Sequence, residues 1–473
     1  DGASTLAYAP VAVTGFAIAF VIDDPVTGKQ ATSLNLSPRL IAKLMTGSYA
    51  GSPDVGRARS DLADNPLSLQ LDPEFQQLNP ELSTAAAGST WWSFKASLAT
   101  LLSVSVKSDM MEALTSYLAA DAEAMAFIAG EPDPWGMTVN EAYKDIELPR
   151  RSWPLEDDWK LAASAGSCEA EQPIAWFTKL MAPVSDVHKV AEDLLMAKPE
   201  STLNREFIQG SKVCKTVRSA QSIGNRTMLG LVTLSDAARY GLPTASLRTA
   251  VTEDGATFVA PTTSSLQAAV AAMTSSAAGE PYLPDAAALH ESTTAYPGTM
   301  VLHAAFPLTG LSATTAEDAA SFVTIATTEG QVEGQGMGEL PKGYAPLAAT
   351  GATAGLFAAA QEVATAVARQ SGSMAAPAST STGTAAGTTA GTTAAAPSGG
   401  SAVGSQVLAA PQATAVPGLA APTAAATAAA TTTPTPDAAV SGPLRAALPA
   451  GLAAAALAGV AVPFVRRTPR ERP

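Results

Sequence analysis

The sequence predicts an α/β body, a low-complexity stalk and one membrane-spanning helix, and three observations support this division. Segments of strand character alternate with helical segments up to about residue 371. From Gln370 to Pro436 the chain has no Asp, Glu, Lys or Arg, and Ala, Thr, Gly, Pro and Ser dominate it. The uncharged run Ala446–Val465 is as long as a bilayer span requires, and four arginines follow it.

The composition of the 473 residues reflects this division. Only 15% of the residues are charged, compared with about 25% in ordinary soluble domains. The alanine-rich, charge-free stalk accounts for the difference. Its glycines lack a three-residue period, which excludes collagen. The net charge of −14 disfavours general nucleic-acid binding, because an acidic chain repels phosphate backbones.

Within the body, the apolar run Leu6–Ile22 is interrupted by Pro10, Thr14 and Gly15, and it predicts two buried strands joined by a turn. Further strands are predicted over Met228–Leu234 and Met300–Phe306. Helices are predicted over Pro38–Met45 after Ser37, Met110–Ile128 after Ser108, Ser235–Tyr240, Ser264–Met273, Thr315–Thr327 and Thr353–Ala368. The alternation predicts a mostly parallel sheet, and about 370 residues predict two lobes.

The loop Ser83–Phe94 is the most suggestive local element. Small residues and hydroxyls lead into a predicted helical stretch, Trp91–Leu102. Backbone N–H groups at such a helix start, beside the Ser89 and Thr90 hydroxyls, are suited to holding an oxyanion. Ordinary N-capping by either hydroxyl is the alternative interpretation.

Other candidate sites carry weaker signals. Cys168 and Cys214 predict one disulfide, worth roughly 4 kcal/mol in the chain-entropy model, with two buried thiols as the alternative. The three histidines are scattered, so the sequence predicts no metal site, no cofactor and no catalytic triad. The six tryptophans predict packing, with sugar stacking as a minority alternative. The pair Asp157–Asp158 predicts a solvated turn rather than a cation site.

Taken in order, several segments resemble the PstS-type phosphate-binding proteins of periplasmic-binding-protein type II fold. Ala9–Val21 (APVAVTGFAIAFV) with Leu34–Gly47 (LNLSPRLIAKLMTG) is similar to the family's connection between lobes. Ala87–Trp91 (AGSTW) lies where the family has its phosphate-holding S-G-T-T-F. Ala295–Met300 (AYPGTM) is similar to the family's return strand, and Phe322–Gln331 (FVTIATTEGQ) with Leu340–Leu347 (LPKGYAPL) to its closing signature.

The resemblance implies a two-lobed substrate-binding body over residues 1–371. Residues of about 20–296 would form the second lobe, and residues of about 307–371 would return into the first. It implies a small ligand, phosphate or another oxyanion, held by Gly88, Ser89 and Thr90, and an ABC permease as a partner. The family's first strand and its G-A-G-A-T-F loop have no counterpart here. The family's Arg and Asp are also missing, since the aligned positions hold Leu82, Ser83 or Thr84, and Ala85.

The C-terminal segments predict where the protein resides. Residues 372–442 form the stalk, 443–466 the transmembrane anchor and 467–473 a basic tail that the positive-inside rule places in the cytoplasm. The body would therefore lie on the extracellular face of the membrane. We expect a surface-anchored solute-binding protein and no enzymatic activity. A structural or adhesive envelope protein that keeps the fold without the phosphate pocket is the alternative.

Overall fold

The computed structural model describes residues 5–24, 27–82, 96–180, 184–200, 205–253 and 255–374. Its strands are β1 (Leu6–Ile22), β2 (Asn35–Leu36), β3 (Arg205–Phe207), β4 (Cys214–Thr216), β5 (Thr227–Thr233), β6 (Ser246–Thr252), β7 (Gly255–Val259), β8 (Met273–Thr274), β9 (Leu283–Pro284) and β10 (Thr299–Pro307). Its helices are α1 (Pro38–Met45), α2 (Pro53–Ala58), α3 (Pro73–Leu78), α4 (Asp109–Ala119), α5 (Ala122–Ile128), α6 (Cys168–Glu171), α7 (Trp176–Leu180), α8 (Val187–Leu195), α9 (Leu234–Tyr240), α10 (Thr263–Ala269), α11 (Ala286–His290), α12 (Ala313–Thr327) and α13 (Ala354–Arg369). The body is a mixed α/β structure, as the sequence predicts.

Strand β1 organises the body. It is a single strand of 17 residues, so the prediction of two strands joined by a turn is wrong. Residues Leu6–Gly15 pair antiparallel with β10, and Phe16–Ile22 pair antiparallel with β5. The apparent breakers serve other purposes. Pro10 lies at a shift in the β10 register, where a missing N–H is tolerated, and Gly15 lies where β1 changes partner.

The prediction of a mostly parallel sheet is also wrong. The sheet β10–β1–β5 is antiparallel at both of its pairings, and β6 pairs antiparallel with β7. Among the named strands of the described residues, only β2 and β6 pair in parallel. The alternation of strand and helix in sequence therefore does not predict strand direction, because several connections place the next strand antiparallel beside the previous one.

Local capping signals correctly predict the starts of α1 and α4. The Ser37 hydroxyl accepts from the Leu40 amide, with Pro38 in the first turn of α1. The predicted helix Met110–Ile128 is instead two helices, α4 and α5. The Asp121 carboxylate accepts from the Ala124 amide at 2.7 Å and starts a new helix. Asp at this position offers the backbone a cap, so the helical pattern does not continue through it.

Different parts of β1 belong to two separate hydrophobic clusters. The larger one contains Phe16–Ile22 together with buried residues of α1, α4, α8 and β5. The smaller one contains Ala7 and Ala9 with Val323 of α12 and Val363 and Val367 of α13. The segment after β10 therefore packs against the first half of β1, and the intervening chain packs against its second half.

No helix within the described residues is long and apolar enough to cross a membrane. The predicted anchor at 443–466 and basic tail at 467–473 lie outside the described residues, as does the stalk from residue 375 onward.

Candidate functional site

The predicted oxyanion-holding residues Gly88, Ser89 and Thr90 lie outside the described residues. The chain leaves α3 before them and re-enters the described part at the short 3-10 turn Ala96–Leu98. The predicted helix Trp91–Leu102 is described only from residue 96 onward, and its last residues are not helical. Leu102 instead forms a parallel bridge to Gly230, donating to the Leu229 carbonyl at 3.1 Å and accepting from the Leu231 amide at 2.8 Å.

Strand β1 makes a close backbone contact with the chain that enters β10. The Phe16 amide donates to the Gly298 carbonyl at 3.0 Å. A Cβ atom on Gly15 would overlap that carbonyl oxygen, and one on Gly298 would lie 2.8 Å from the Phe16 oxygen. Glycine at both positions lets the two backbones approach this closely. Tyr296, just before Gly298, is fully buried, and burial raises the pKa of its hydroxyl.

The loop that contains Gly343 is fastened to the same crossing. Its carbonyl accepts from the Thr14 hydroxyl at 2.9 Å, and the Ala345 amide donates to the Val13 carbonyl at 2.7 Å. Gly343 has a φ of +93°, and a Cβ there would lie 2.5 Å from the backbone at the start of α9. The Gln331 side chain also links this loop to β1, since it donates to the Val11 carbonyl at 2.8 Å and accepts from the Leu347 amide at 2.6 Å.

Two cavities flank Tyr344 of this loop. One, of about 190 Å³, lies between α9 and α10 and is lined by Leu234, Thr244, Pro261, Thr263 and Gly343, among others. The other, of about 420 Å³, lies along α12. Its lining includes Val11, Leu302, Phe322, Ile325 and Leu340, and Phe322 and Ile325 are each more than half exposed. Only the second is of a size typical of small-ligand pockets, and its wall is mainly apolar.

A buried charge cluster lies under α1 in the larger core. The Lys43 ammonium contacts Asp72 at 2.8 Å, Glu74 at 3.1 Å and Asp133 at 2.7 Å, and its side chain has no exposed surface. Tyr49 donates to Asp72 at 2.9 Å. The three carboxylates have the spacing of metal ligands, but the lysine ammonium supplies the positive charge among them. The cluster therefore joins α1, α3 and the turn at Asp133.

Burial and charge act in opposite directions on these groups. Burial would lower the pKa of Lys43, but Asp72, Glu74 and Asp133 outweigh it and the pKa is raised. Burial raises the pKa of Asp72 above its usual value despite the opposing lysine. For Glu74, Lys43 and Arg39 outweigh burial and lower the pKa. Sequence reasoning missed this cluster, although Lys43 on a strongly amphipathic helix and Asp72 before Pro73 were available signals.

The prediction of a solvated turn at Asp157–Asp158 is wrong for Asp157, which is buried. Its carboxylate accepts from Arg59 at 2.6 Å and from the Asn140 amide at 2.8 Å. Arg59 also lies over the ring of Trp159. The first aspartate therefore holds an internal guanidinium, which a run of two acidic residues in sequence does not indicate.

Cys168 and Cys214 form a disulfide, with their Cα atoms 5.7 Å apart. The bond joins α6 to β4 across a sequence separation of 46 residues. No free cysteine remains, so two separate thiols do not describe these residues.

The tryptophans serve mainly as packing residues where the structure describes them. Trp153 and Trp176 are buried, and Trp153 stacks on Tyr143 with ring centroids 5.8 Å apart. Trp135 is partly exposed, with Arg39 5.8 Å from its ring centre. Trp91 and Trp92 lie outside the described residues.

No protein-family model and no curated protein matches this chain.

Proposed function

We propose that the body is a solute-binding module of periplasmic-binding-protein type II architecture that encloses a small ligand between two parts. The observation that carries this proposal is the double use of β1, whose first half pairs with β10 and whose second half pairs with β5. The chain returns beside β1 at Gly298. A body connected through adjacent strands in this way is suited to closing around a ligand by a hinge motion.

The proposed ligand is a small oxyanion such as phosphate, with Gly88, Ser89 and Thr90 as its binding residues. Backbone N–H groups and two hydroxyls close together in sequence offer the hydrogen-bond donors that an oxyanion requires. The loop lacks the family's Arg and Asp, and an anion without a bidentate arginine loses its strongest contact. An ABC permease would receive the ligand, so the body would act as a carrier and not as an enzyme.

The proposed location is the extracellular face of the cell membrane. The stalk at 372–442, in which Asp437 is the only charged residue, the largely apolar segment at 443–466 and the arginines after it support this location. Fusing residues 443–473 to a soluble reporter tests it. Recovery of the reporter in the membrane fraction is expected, and a wholly soluble reporter would remove the anchor from the proposal.

Calorimetric titration of the full chain with phosphate, sulfate and a panel of sugars tests the ligand proposal. Replacing both loop hydroxyls, Ser89→Ala with Thr90→Ala, is expected to weaken oxyanion binding roughly 10- to 100-fold, because hydrogen bonds to charged groups are the stronger ones. The matched control, Thr293→Ala with Thr314→Ala, removes two exposed hydroxyls elsewhere and should bind as the wild type does. Absence of heat with every ligand would remove the transport role.

A structural or adhesive envelope protein is the second candidate. The apolar cavity along α12, with Phe322 and Ile325 half-exposed on its wall, favours it, because such surfaces mark contacts with partners. This candidate would be supported over the carrier if envelope glycans or a defined envelope protein retained the protein and the calorimetric titrations gave no heat.

A further inference from the structure

A basic β-hairpin projects from the body next to the disulfide. The basic hairpin consists of residues 205–218, with β3 and β4 pairing antiparallel and a turn between them. Side chains alternate between two faces of such a ribbon. Its outward face carries Glu206, Ile208, Val213, Lys215 and Val217, all of them exposed. The aliphatic members are 44%, 53% and 38% exposed, respectively.

The charge of the basic hairpin is opposite in sign to that of the whole chain. It holds four Lys and Arg residues and one Glu, whereas the chain has a net charge of −14. Lys215 pairs with Glu206 at 2.8 Å, with both side chains more than half exposed. Arg218 pairs with Glu200, outside the hairpin, at 2.6 Å, whereas Lys212 at the turn makes no ion pair among the described residues. A local positive surface on an acidic protein favours an anionic partner.

The inward face of the hairpin is held in place, so the outward face is presented in a fixed form. Cys214 is bonded to Cys168 of α6. Gln172, just after α6, donates to the Lys212 carbonyl at 3.2 Å and accepts from the Arg205 guanidinium at 2.7 Å. A preformed surface loses little entropy when it binds.

We propose that the outward face of the basic hairpin docks on an anionic lipid surface. Positively charged side chains alone would not distinguish a lipid surface from any other acidic partner. Here Ile208 and Val213 are neighbours across the hairpin, since the Ile208 amide donates to the Val213 carbonyl at 2.8 Å, and lysines flank them. Aliphatic side chains beside lysines suit the boundary between headgroups and acyl chains, where apolar burial and charge attraction act together. This proposal does not depend on the solute site.

Hydrogen exchange of the full chain with vesicles tests the proposal. Because the C-terminal apolar run could hold the chain on any vesicle, the readout is local, at the amides of residues 205–218. Vesicles of phosphatidylcholine containing phosphatidylglycerol are expected to slow exchange there, and vesicles of phosphatidylcholine alone are not. The protection should fall as salt is raised to about 0.5 M, because the screening length then shortens to a few Å.

Matched variants separate charge from apolar contact. Lys212→Gln with Lys215→Gln is expected to shift the lipid titration midpoint roughly 30-fold, since each lysine near an anionic surface contributes about fivefold. The control Lys107→Gln with Lys342→Gln removes two exposed lysines elsewhere and should leave the midpoint unchanged. Ile208→Ser with Val213→Ser should also weaken protection. Thermal unfolding of each variant checks that it folds. The salt dependence of the wild type tests the role of charge without any substitution.

Three results would overturn the proposal. Equal protection by both vesicle types would remove the role of charge, and no protection by either would remove the docking surface. Equal protection by soluble polyglutamate would assign the hairpin to an acidic macromolecule instead of a lipid surface.

Discussion

Gly15 and Gly298 lie backbone against backbone where β1 passes the chain that enters β10. The Gly298 carbonyl accepts from the Phe16 amide at 3.0 Å, and neither glycine has space for a Cβ atom. Since both strands are fixed by their sheet partners, the overlap cannot be relieved by a side-chain movement. The crossing therefore depends on two small residues that are 283 positions apart in sequence.

Gly15→Ala is expected to destabilise the body by about 2 kcal/mol or more, because overpacking against a backbone carbonyl forces the strands apart. Urea unfolding followed by circular dichroism measures this. Gly355→Ala is the control, since Gly355 lies in α13 and a Cβ atom there would have no other atom within 4 Å. Alanine is the better helix former, so it should stabilise by about 0.5–1 kcal/mol. Equal stability of Gly15→Ala and wild type would contradict the close crossing.

Lys43→Met is expected to cost about 3–5 kcal/mol at neutral pH, because it removes the cation that three buried carboxylates share and, within the described residues, leaves only Glu74 with a second cationic partner, Arg39. The deficit should shrink in acid, where the carboxylates take up protons. Denaturant unfolding at several pH values measures it. Lys29→Met, at an exposed position, should change stability by less than about 0.5 kcal/mol. A Lys43→Met protein as stable as the Lys29→Met protein would show that the cluster is not held by the lysine.

Asp23 and Arg226 give a prediction for pH dependence. Burial would raise the pKa of Asp23, but the Arg226 side chain and the amides of Arg226 and Gly224 outweigh it and the pKa lies below its usual 3.8. The folded state thus binds a proton less readily than the unfolded state. The stabilisation is fully present above about pH 5 and is lost as the pH falls through and below 3.8.

Asp23→Asn should therefore cost roughly 2 kcal/mol at about pH 7, in line with the strength of hydrogen bonds to charged groups, and progressively less as the pH falls below 3.8. Unfolding curves of variant and wild type across this range give the difference. A difference that stayed constant with pH would mean that the carboxylate charge contributes nothing.

The disulfide supplies a stability prediction of its own. Cys168→Ser with Cys214→Ser is expected to lower the free energy of unfolding by about 2–4 kcal/mol, because the unfolded chain loses its cross-link. A reducing agent should destabilise the wild type by a similar amount and leave the double variant unchanged. Destabilisation of the double variant by the reductant would point to an effect unrelated to this bond.

Short-range signals predicted much of the local structure. Ser37 before Pro38 marks the start of α1, and Gly241, with a φ of +62°, marks the end of α9. Such signals work because cap and helix lie within a few residues and interact in the same way in most proteins. The break at Asp121 shows their limit, since a polar residue inside a helical pattern can also begin a second helix.

Long-range relationships could not be predicted in this way. The pattern of Leu6–Ile22 predicts a turn within the run, because the residue that Gly15 contacts, Gly298, lies far away in sequence. Asp157 was interpreted as solvated because its partner, Arg59, is 98 positions distant. Nothing in a local pattern states which distant residue will neutralise a charge or fill the space above a glycine.

The sequence by itself predicts a division into a body, a low-complexity stalk and an apolar C-terminal segment, because composition indicates whether a segment can bury enough surface to fold. It also determined the mixed α/β class and the starts of several helices, α1 and α4 among them. Only the tertiary structure decided that Leu6–Ile22 is one strand with two successive partners and that Lys43 is enclosed by three carboxylates. Strand pairing and buried charge are settled by which distant segments meet, and that is a property of the packed chain.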